Sequence, residues 1–224
     1  MLLSDINAAG VAAVANDLHG VGKIATNVCN VAEEGDITSM IEQATSELGG
    51  IDILVNNAGY SHLNKLTWKI SVEEFDAVFA VNVRGVFLGC KHAIPVMIAQ
   101  DTGGAIINIA SIGSIAPRPG VTPYNATKGA VLTMTKGLAL EVARNNIRVN
   151  AVNPVASLTG FMETATGVPA DDMSEVQKDR LVSTIPLGRM AEPTDIAGAV
   201  TFLASDDATF LTGTAINVDG GRSV

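Results

Sequence analysis

Short apolar runs alternate with amphipathic segments along the whole of this 224-residue chain, and that alternation restricts the fold more than any single residue does. Lys23–Val28, Ile51–Asn57, Gly103–Ser111, Asn146–Pro154 and Gly213–Gly221 read as strands. Between them lie helical patterns. In "EEGDITSMIEQATSELG", Ile37, Met40, Ile41 and Ala44 share one face and a glycine ends the run. A long pattern spans residues 71–99, where Ser71 and Glu74 have the spacing of a capping box. Further patterns cover residues 124–143 and 193–205. Strands separated by helices of this length cannot be joined as hairpins, so they imply an α/β fold, a doubly wound parallel sheet covered on both faces. No repeat or linker divides the chain, and residues 1–224 read as a single domain. The looser segment 155–193 forms a loop or lid within it.

Composition narrows the function. The chain is 47% hydrophobic and 17% charged, and carries a net charge of −9 with no run of Lys or Arg. A nucleic-acid or anionic-membrane partner is disfavoured on electrostatic grounds. No unbroken apolar run reaches the roughly 18 residues of a membrane helix, and the first residues lack a basic signal-peptide region. Cys29 and Cys90 lie in apolar segments and read as reduced core thiols of a cytoplasmic protein. His19, His62 and His92 are too scattered to suggest a metal site, and none is assigned.

Ligands of open α/β sheets bind beyond the carboxyl ends of the strands. Here those ends fall at Asp5, Val28–Asn30, Asn56–Gly59, Ala110–Gly113 and Asn153–Thr159, which are rich in Asn, Ser, Gly and Asp. Tyr124 and Lys128 lie four apart on a helix and share a face. A nearby ammonium favours the phenolate and is expected to lower the tyrosine pKa from about 10, fitting it for proton exchange with an alcohol or carbonyl oxygen. Ser111, at a strand end, is placed to bond the same oxygen. Asn82 is a polar residue within an apolar helical stretch and needs a partner, either as a satisfied core amide or as part of a site.

Taken together, "NNAG" (56–59), "VNVRG" around Asn82, "NIAS" ending at Ser111, "YNATK" (124–128), "IRVNAVNP" and the terminal "LTGTAINVDGG" resemble the short-chain dehydrogenase/reductase family over nearly the whole chain. The resemblance implies a Rossmann-like doubly wound fold and an NAD(P)-dependent oxidoreductase that moves a hydride between the nicotinamide and a secondary alcohol or ketone. Carried over by position, Tyr124 is the acid/base, and Lys128 holds the nicotinamide ribose and lowers the tyrosine pKa. Ser111 orients the substrate oxygen, and Asn82 supports a water-linked proton relay. Asn56, Ala58 and Gly59 line the cofactor, Asn30 and Val31 lie toward the adenine, and Pro154, Ser157 and Thr159 approach the nicotinamide side. Asp5 matches the acidic residue that accepts from both ribose hydroxyls and repels a 2′-phosphate, so NAD is favoured over NADP; its local alternative is a turn or cap residue. Homo-oligomers, dimers or tetramers, are common in the family.

Three departures from the family pattern stand out. Asn30-Val31 replaces an Asp-Val pair, and Pro154-Val155 replaces a Pro-Gly that leaves its loop freer. The third is at the front. The resemblance implies a first strand and Gly-rich turn about 20 residues before the ribose acid, and a strand order 3-2-1-4-5-6-7 with that first strand central. Here the acid is Asp5. The expectations are, in order, that a first βα unit of about 30 or more residues precedes Met1, that the product is truncated and non-catalytic, acting as an oligomer subunit or scaffold, or that another chain supplies the strand.

Overall fold

The computed structural model describes residues 1–157 and 159–224. Among these residues every strand pairs in parallel, as the helix-length connections require. In chain order the elements are β1 (Leu2–Asp5), α1 (Ala8–Asp17), β2 (Ala25–Val28), α2 (Glu34–Leu48), β3 (Ile53–Asn56), α3 (Val72–Phe79), α4 (Gly85–Gln100) and β4 (Gly104–Ile109). They continue with α5 (Thr122–Val142), β5 (Ile147–Pro154), α6 (Phe161–Thr166), α7 (Glu175–Val182), α8 (Pro193–Ala204) and β6 (Ala215–Val218).

The strands form two hydrogen-bonded sheets rather than one, β1-β2 and β3-β4-β5-β6. β1 and β3 each have one edge with no β partner among the described residues, at the point where the family order would place its central strand. Side-chain alternation shows why both faces of the larger sheet are covered. Ile106 packs with Met97 of α4 and Val131 and Ala139 of α5 in one core cluster. Its neighbours Ala105 and Ile107 point the other way, into a second cluster with Leu203 of α8. Ile37, Ile41 and Ala44 of α2 join the first cluster, together with Leu2 of β1, so this helix ties the two-stranded sheet to α4. On the α8 side the cover stops short of β3. Ile53 and Val55, in register with Ala105 and Ile107, are exposed, whereas Leu54 is buried.

The long helical pattern is realised as α3 and α4 joined through a π-helical turn, Ala80–Arg84. The Ser71–Glu74 capping box starts it, with Glu74 N donating to Ser71 Oγ and Ser71 N donating to Glu74 Oε2. Although no unbroken apolar run is long enough, the joined helix Val72–Gln100 has the length and composition to cross a bilayer. Here Val86, Leu88, Cys90, Ala93 and Met97 place it in the core. Val155 also settles one of the departures. Its N–H donates to Val218 O at 3.1 Å and its φ is not in the left-handed region, so a β-branched residue is accommodated there.

Candidate active site

The carboxyl ends of β3, β4 and β5 and the first turns of α5 bring the predicted residues together. α5 begins at Thr122 with Pro123 in its first turn, a position whose missing N–H leaves no intrahelical bond unmade. Tyr124 and Lys128 follow one turn apart. Lys128 is 3% exposed, and its Nζ donates to Ile109 O, the last residue of β4, at 2.7 Å. That carbonyl anchors the ammonium 5.8 Å from the centre of the Tyr124 ring. Burial pulls the lysine pKa down to about 8. Ser111 follows β4, and its Oγ accepts from Gly113 N at 3.1 Å.

One expectation is corrected here. Burial raises the Tyr124 pKa, and the groups that oppose this are the Ser111 hydroxyl, by a side-chain hydrogen bond, and the charge of Arg118. The Lys128 ammonium keeps its charge near the ring while one of its protons goes to the Ile109 carbonyl. Arg118, in the irregular segment before α5, carried no signal in the sequence.

Asn82, wholly buried in the π turn, is fixed from three sides. Its Oδ1 accepts from Tyr60 N at 2.8 Å, and its Nδ2 donates to Tyr60 O at 2.9 Å and to Thr127 Oγ1 at 3.0 Å. A π turn changes the helix register locally, and such turns gather at functional sites. This one aims an amide at the loop after β3. That loop leaves Ala58 and Gly59 exposed, and a Cβ added to Gly59 would lie 3.7 Å from Lys128 Nζ and 3.9 Å from Asn82 Oδ1. Asn56 is directed inward. Its Nδ2 donates to Asn108 Oδ1 at 2.8 Å, and Asn108 Nδ2 donates to Thr135 Oγ1 at 2.9 Å, so the amide braces β3 against β4 and α5.

Around this centre, Asn64 N donates to Ala165 O of α6 at 3.0 Å, and Lys65 N donates to Gly120 O at 3.0 Å. Loop 57–66, α6 and the segment before α5 are thereby joined. Phe161 of α6 packs on Tyr124 with ring centres 5.3 Å apart, whereas Met162 and Met173 are buried core residues. The remaining predicted positions lie further out. Asp5 is exposed at the end of β1, and its Oδ1 accepts from Asn7 N at 2.8 Å, the turn arrangement that was its local alternative. Asn30 Oδ1 accepts from Ala32 N at 3.1 Å, and Val31 packs against Gly85. Beyond Pro154, Ser157 bridges to Ala191, and Thr159 N donates to Ser157 O at 3.0 Å. Ser157 Oγ is buried without a hydrogen-bond partner among the described residues. No group of three metal-binding side chains converges among the described residues.

The family model described as enoyl-(acyl carrier protein) reductase matches residues 1–223. The chain belongs to the short-chain dehydrogenase/reductase family. A 4-formylbenzenesulfonate dehydrogenase of Comamonas testosteroni is 42% identical over 203 residues, covering 91% of this chain and 79% of that protein. A 3-ketoacyl-(acyl-carrier-protein) reductase from Brucella melitensis, solved with NADH, superposes with a TM-score of 0.91 at 38% identity, over 100% of this chain and 87% of that one. A gluconate 5-dehydrogenase from Burkholderia cenocepacia, solved with NADP and tartrate, gives 0.88 at 33% identity, over 99% and 84%. Membership in this family makes the chain an NAD(P)-dependent oxidoreductase by class. Two features suit its site to such a cofactor: the exposed Ala58–Gly59 shoulder beside Lys128, and the unpartnered hydroxyl of Ser157.

Proposed function

We propose that this short-chain dehydrogenase/reductase interconverts a secondary alcohol and a ketone, with NAD as the preferred cofactor. The observation that carries the reading is the buried Lys128 ammonium, held by the Ile109 carbonyl on the helix face that also presents Tyr124 beside Ser111. The nicotinamide supplies or accepts the hydride. Tyr124 exchanges the proton with the substrate oxygen, and Ser111 shares that oxygen and orients it. Lys128 presents its remaining protons to the nicotinamide ribose. Asn82 holds the Tyr60 backbone and Thr127 in place, so that a water beside Lys128 has a fixed wall and the proton a path out. Ala58 and Gly59 let the backbone approach the cofactor, with Asn56 bracing them from below. Pro154, Ser157 and Thr159 face the carboxamide side, and Asn30 and Val31 the adenine.

Asp5 supports the NAD preference, because a carboxylate at a strand end accepts from ribose hydroxyls and repels a phosphate. Relatives solved with NADH and with NADP both occur. Exposed Phe75, Phe87, Ile98 and Leu140 on α3, α4 and α5 support assembly into a homo-oligomer. The test is turnover, followed through the reduced nicotinamide, of a panel of alcohols and ketones with each cofactor. Activity with NAD is expected, and Asp5→Ala should narrow the NAD/NADP ratio; an unchanged ratio removes Asp5 from the choice. One observation favours a second reading, a non-catalytic scaffold: among the described residues β1 and β3 do not pair with one another, so the sheet is discontinuous there. That reading predicts no nicotinamide binding by the folded 224-residue chain, and tight NAD binding excludes it.

A further inference from the structure

Segment 155–193 leaves the sheet after β5 and returns at α8, and both of its stems are held by the end of β6. On the outgoing stem Val155 N donates to Val218 O at 3.1 Å, and on the returning stem Leu187 N donates to Gly220 O at 3.1 Å. The two acceptors are two residues apart, with Asp219 between them. The stems also meet each other, through Ala191 N donating to Ala156 O at 3.1 Å. Contact at the last turn is close as well as hydrogen-bonded. A Cβ added to Gly220 would lie 2.6 Å from Ile185 Cγ2, and one on Gly221 would lie 3.1 Å from Pro186 Cγ. Ile185 is itself buried, so it has little room to yield.

The Gly220 carbonyl is aimed by a turn that Asp219 closes. The Asp219 carboxylate accepts from Gly221 N at 3.1 Å and from Ser223 N at 2.9 Å, and Arg222 N donates to Asp219 O at 3.0 Å. Asp219 is 7% exposed, and no Lys, Arg or His is in ion-pair contact with it among the described residues. Its charge is spent on backbone N–H groups, and hydrogen bonds to an ionised acceptor are the stronger kind. The turn is tied to the sheet as well. Asn217 Nδ2 donates to Ser223 Oγ at 3.3 Å, and Asn153 Nδ2 of β5 donates to Asn217 Oδ1 at 2.9 Å.

Between its stems the segment reaches the catalytic centre. Phe161, at the head of α6, packs on Tyr124, and Ala165 O of α6 accepts from Asn64 N. On the way back, Ile185 N donates to Val182 O at 2.8 Å, so α7 ends directly against Gly220. A displaced Gly220 carbonyl therefore releases one stem of the segment that sets Phe161 on Tyr124.

We propose that Asp219 is a positioning residue for substrate binding: through the turn it closes, it fixes the returning stem of segment 155–193 and with it the placement of α6 against Tyr124. The consequence for substrate rests on the oxidoreductase reading of Tyr124. The coupling of turn to α6 is testable without turnover.

Amide hydrogen exchange of the full chain compares wild type with Asp219→Ala and the milder Asp219→Asn. The reporters are the Leu187 amide, bonded to the turn, and the Asn64 amide, bonded to α6 from a different loop. Both should exchange about tenfold or more faster in Asp219→Ala, as expected for the loss of two charge-assisted bonds, while the Ile106 and Ile107 amides of β4 stay within about twofold of wild type. Asp219→Asn still accepts one N–H and should fall between. The kinetic arm measures KM and kcat for the best alcohol or ketone substrate beside NAD affinity. KM should rise about fivefold or more in Asp219→Ala, with kcat and NAD affinity within about twofold. Faster exchange confined to Leu187, with Asn64 and KM as in wild type, overturns the proposal, and so does unchanged exchange at both amides. If Asp219→Ala loosens β4 as well, Asp219→Asn is judged by the same criteria. Faster exchange at both Leu187 and Asn64, in a chain whose wild type turns over no alcohol or ketone, supports the coupling and counts against the oxidoreductase reading.

Discussion

Replacing Asn82 by alanine isolates the contribution of the π turn. The side chain is wholly buried and makes three hydrogen bonds, two to the Tyr60 backbone and one to Thr127 Oγ1. Thr127 keeps its own donor bond to Tyr124 O at 2.6 Å, so it loses only an accepted bond. Tyr60 is 38% exposed as a residue, and water reaches part of what the amide abandons. The low end of the range for unsatisfied groups therefore applies, about 1 kcal/mol for each of the three lost bonds, or about 3 kcal/mol in all. For a domain of this size that lowers Tm by about 6–12 °C. Asn82→Asp should not rescue it. The carboxylate retains an acceptor for Tyr60 N, but faces Tyr60 O where an N–H stood. Thermal unfolding gives the magnitude, and hydrogen exchange of the Tyr60 amide gives the location, with faster exchange expected in Asn82→Ala. A Tm within about 2 °C of wild type, with Tyr60 exchange unchanged, would refute the assignment of this amide as the clamp on loop 57–60.

Lys128 links stability to pH. Its pKa is about 8 in the folded chain and 10.5 when free, so between these values the unfolded chain binds more protons and stability rises with pH. The penalty for burying the ammonium is complete below about 8. Above the ordinary tyrosine pKa of about 10 the raised Tyr124 works in the opposite sense, because the folded chain then holds the extra proton. Urea midpoints of Lys128→Met relative to wild type should show the difference narrowing as pH rises from 8 toward 10; a constant difference refutes it. Gly89→Ala should destabilise the chain by about 1–3 kcal/mol, because the new methyl group would collide with Asn56 Oδ1 and push α4 from β3. Denaturant unfolding measures it, and wild-type stability would mean that Asn56 moves freely.

Much of the architecture was legible because it rests on local periodicity. The capping box at Ser71 and Glu74, the Gly stop of α2 at Gly49 and the apolar face of Ile37, Ile41 and Ala44 are all decided within a few residues. Tyr124 and Lys128 could be paired for the same reason, since helical spacing alone sets them on one face. What lay beyond the sequence depended on distant partners. The i to i+4 spacing of Tyr124 and Lys128 suggested a lowered tyrosine pKa, but burial, which only the tertiary fold supplies, raises it. Asn82 needed a partner, and nothing local could show that it was the Tyr60 backbone or that the helix slips into a π turn to reach it.

The central claim is that Tyr124 exchanges the proton at the substrate oxygen, and Tyr124→Phe tests it with the fewest other changes, because the ring and its packing on Phe161 remain. The decisive measurement is kcat/KM for the best alcohol or ketone substrate, beside nicotinamide binding and Tm on the same preparations. The account predicts a loss of about 100-fold or more, the scale of general acid–base catalysis, with cofactor affinity and Tm close to wild type. Wild-type kcat/KM in Tyr124→Phe would contradict it.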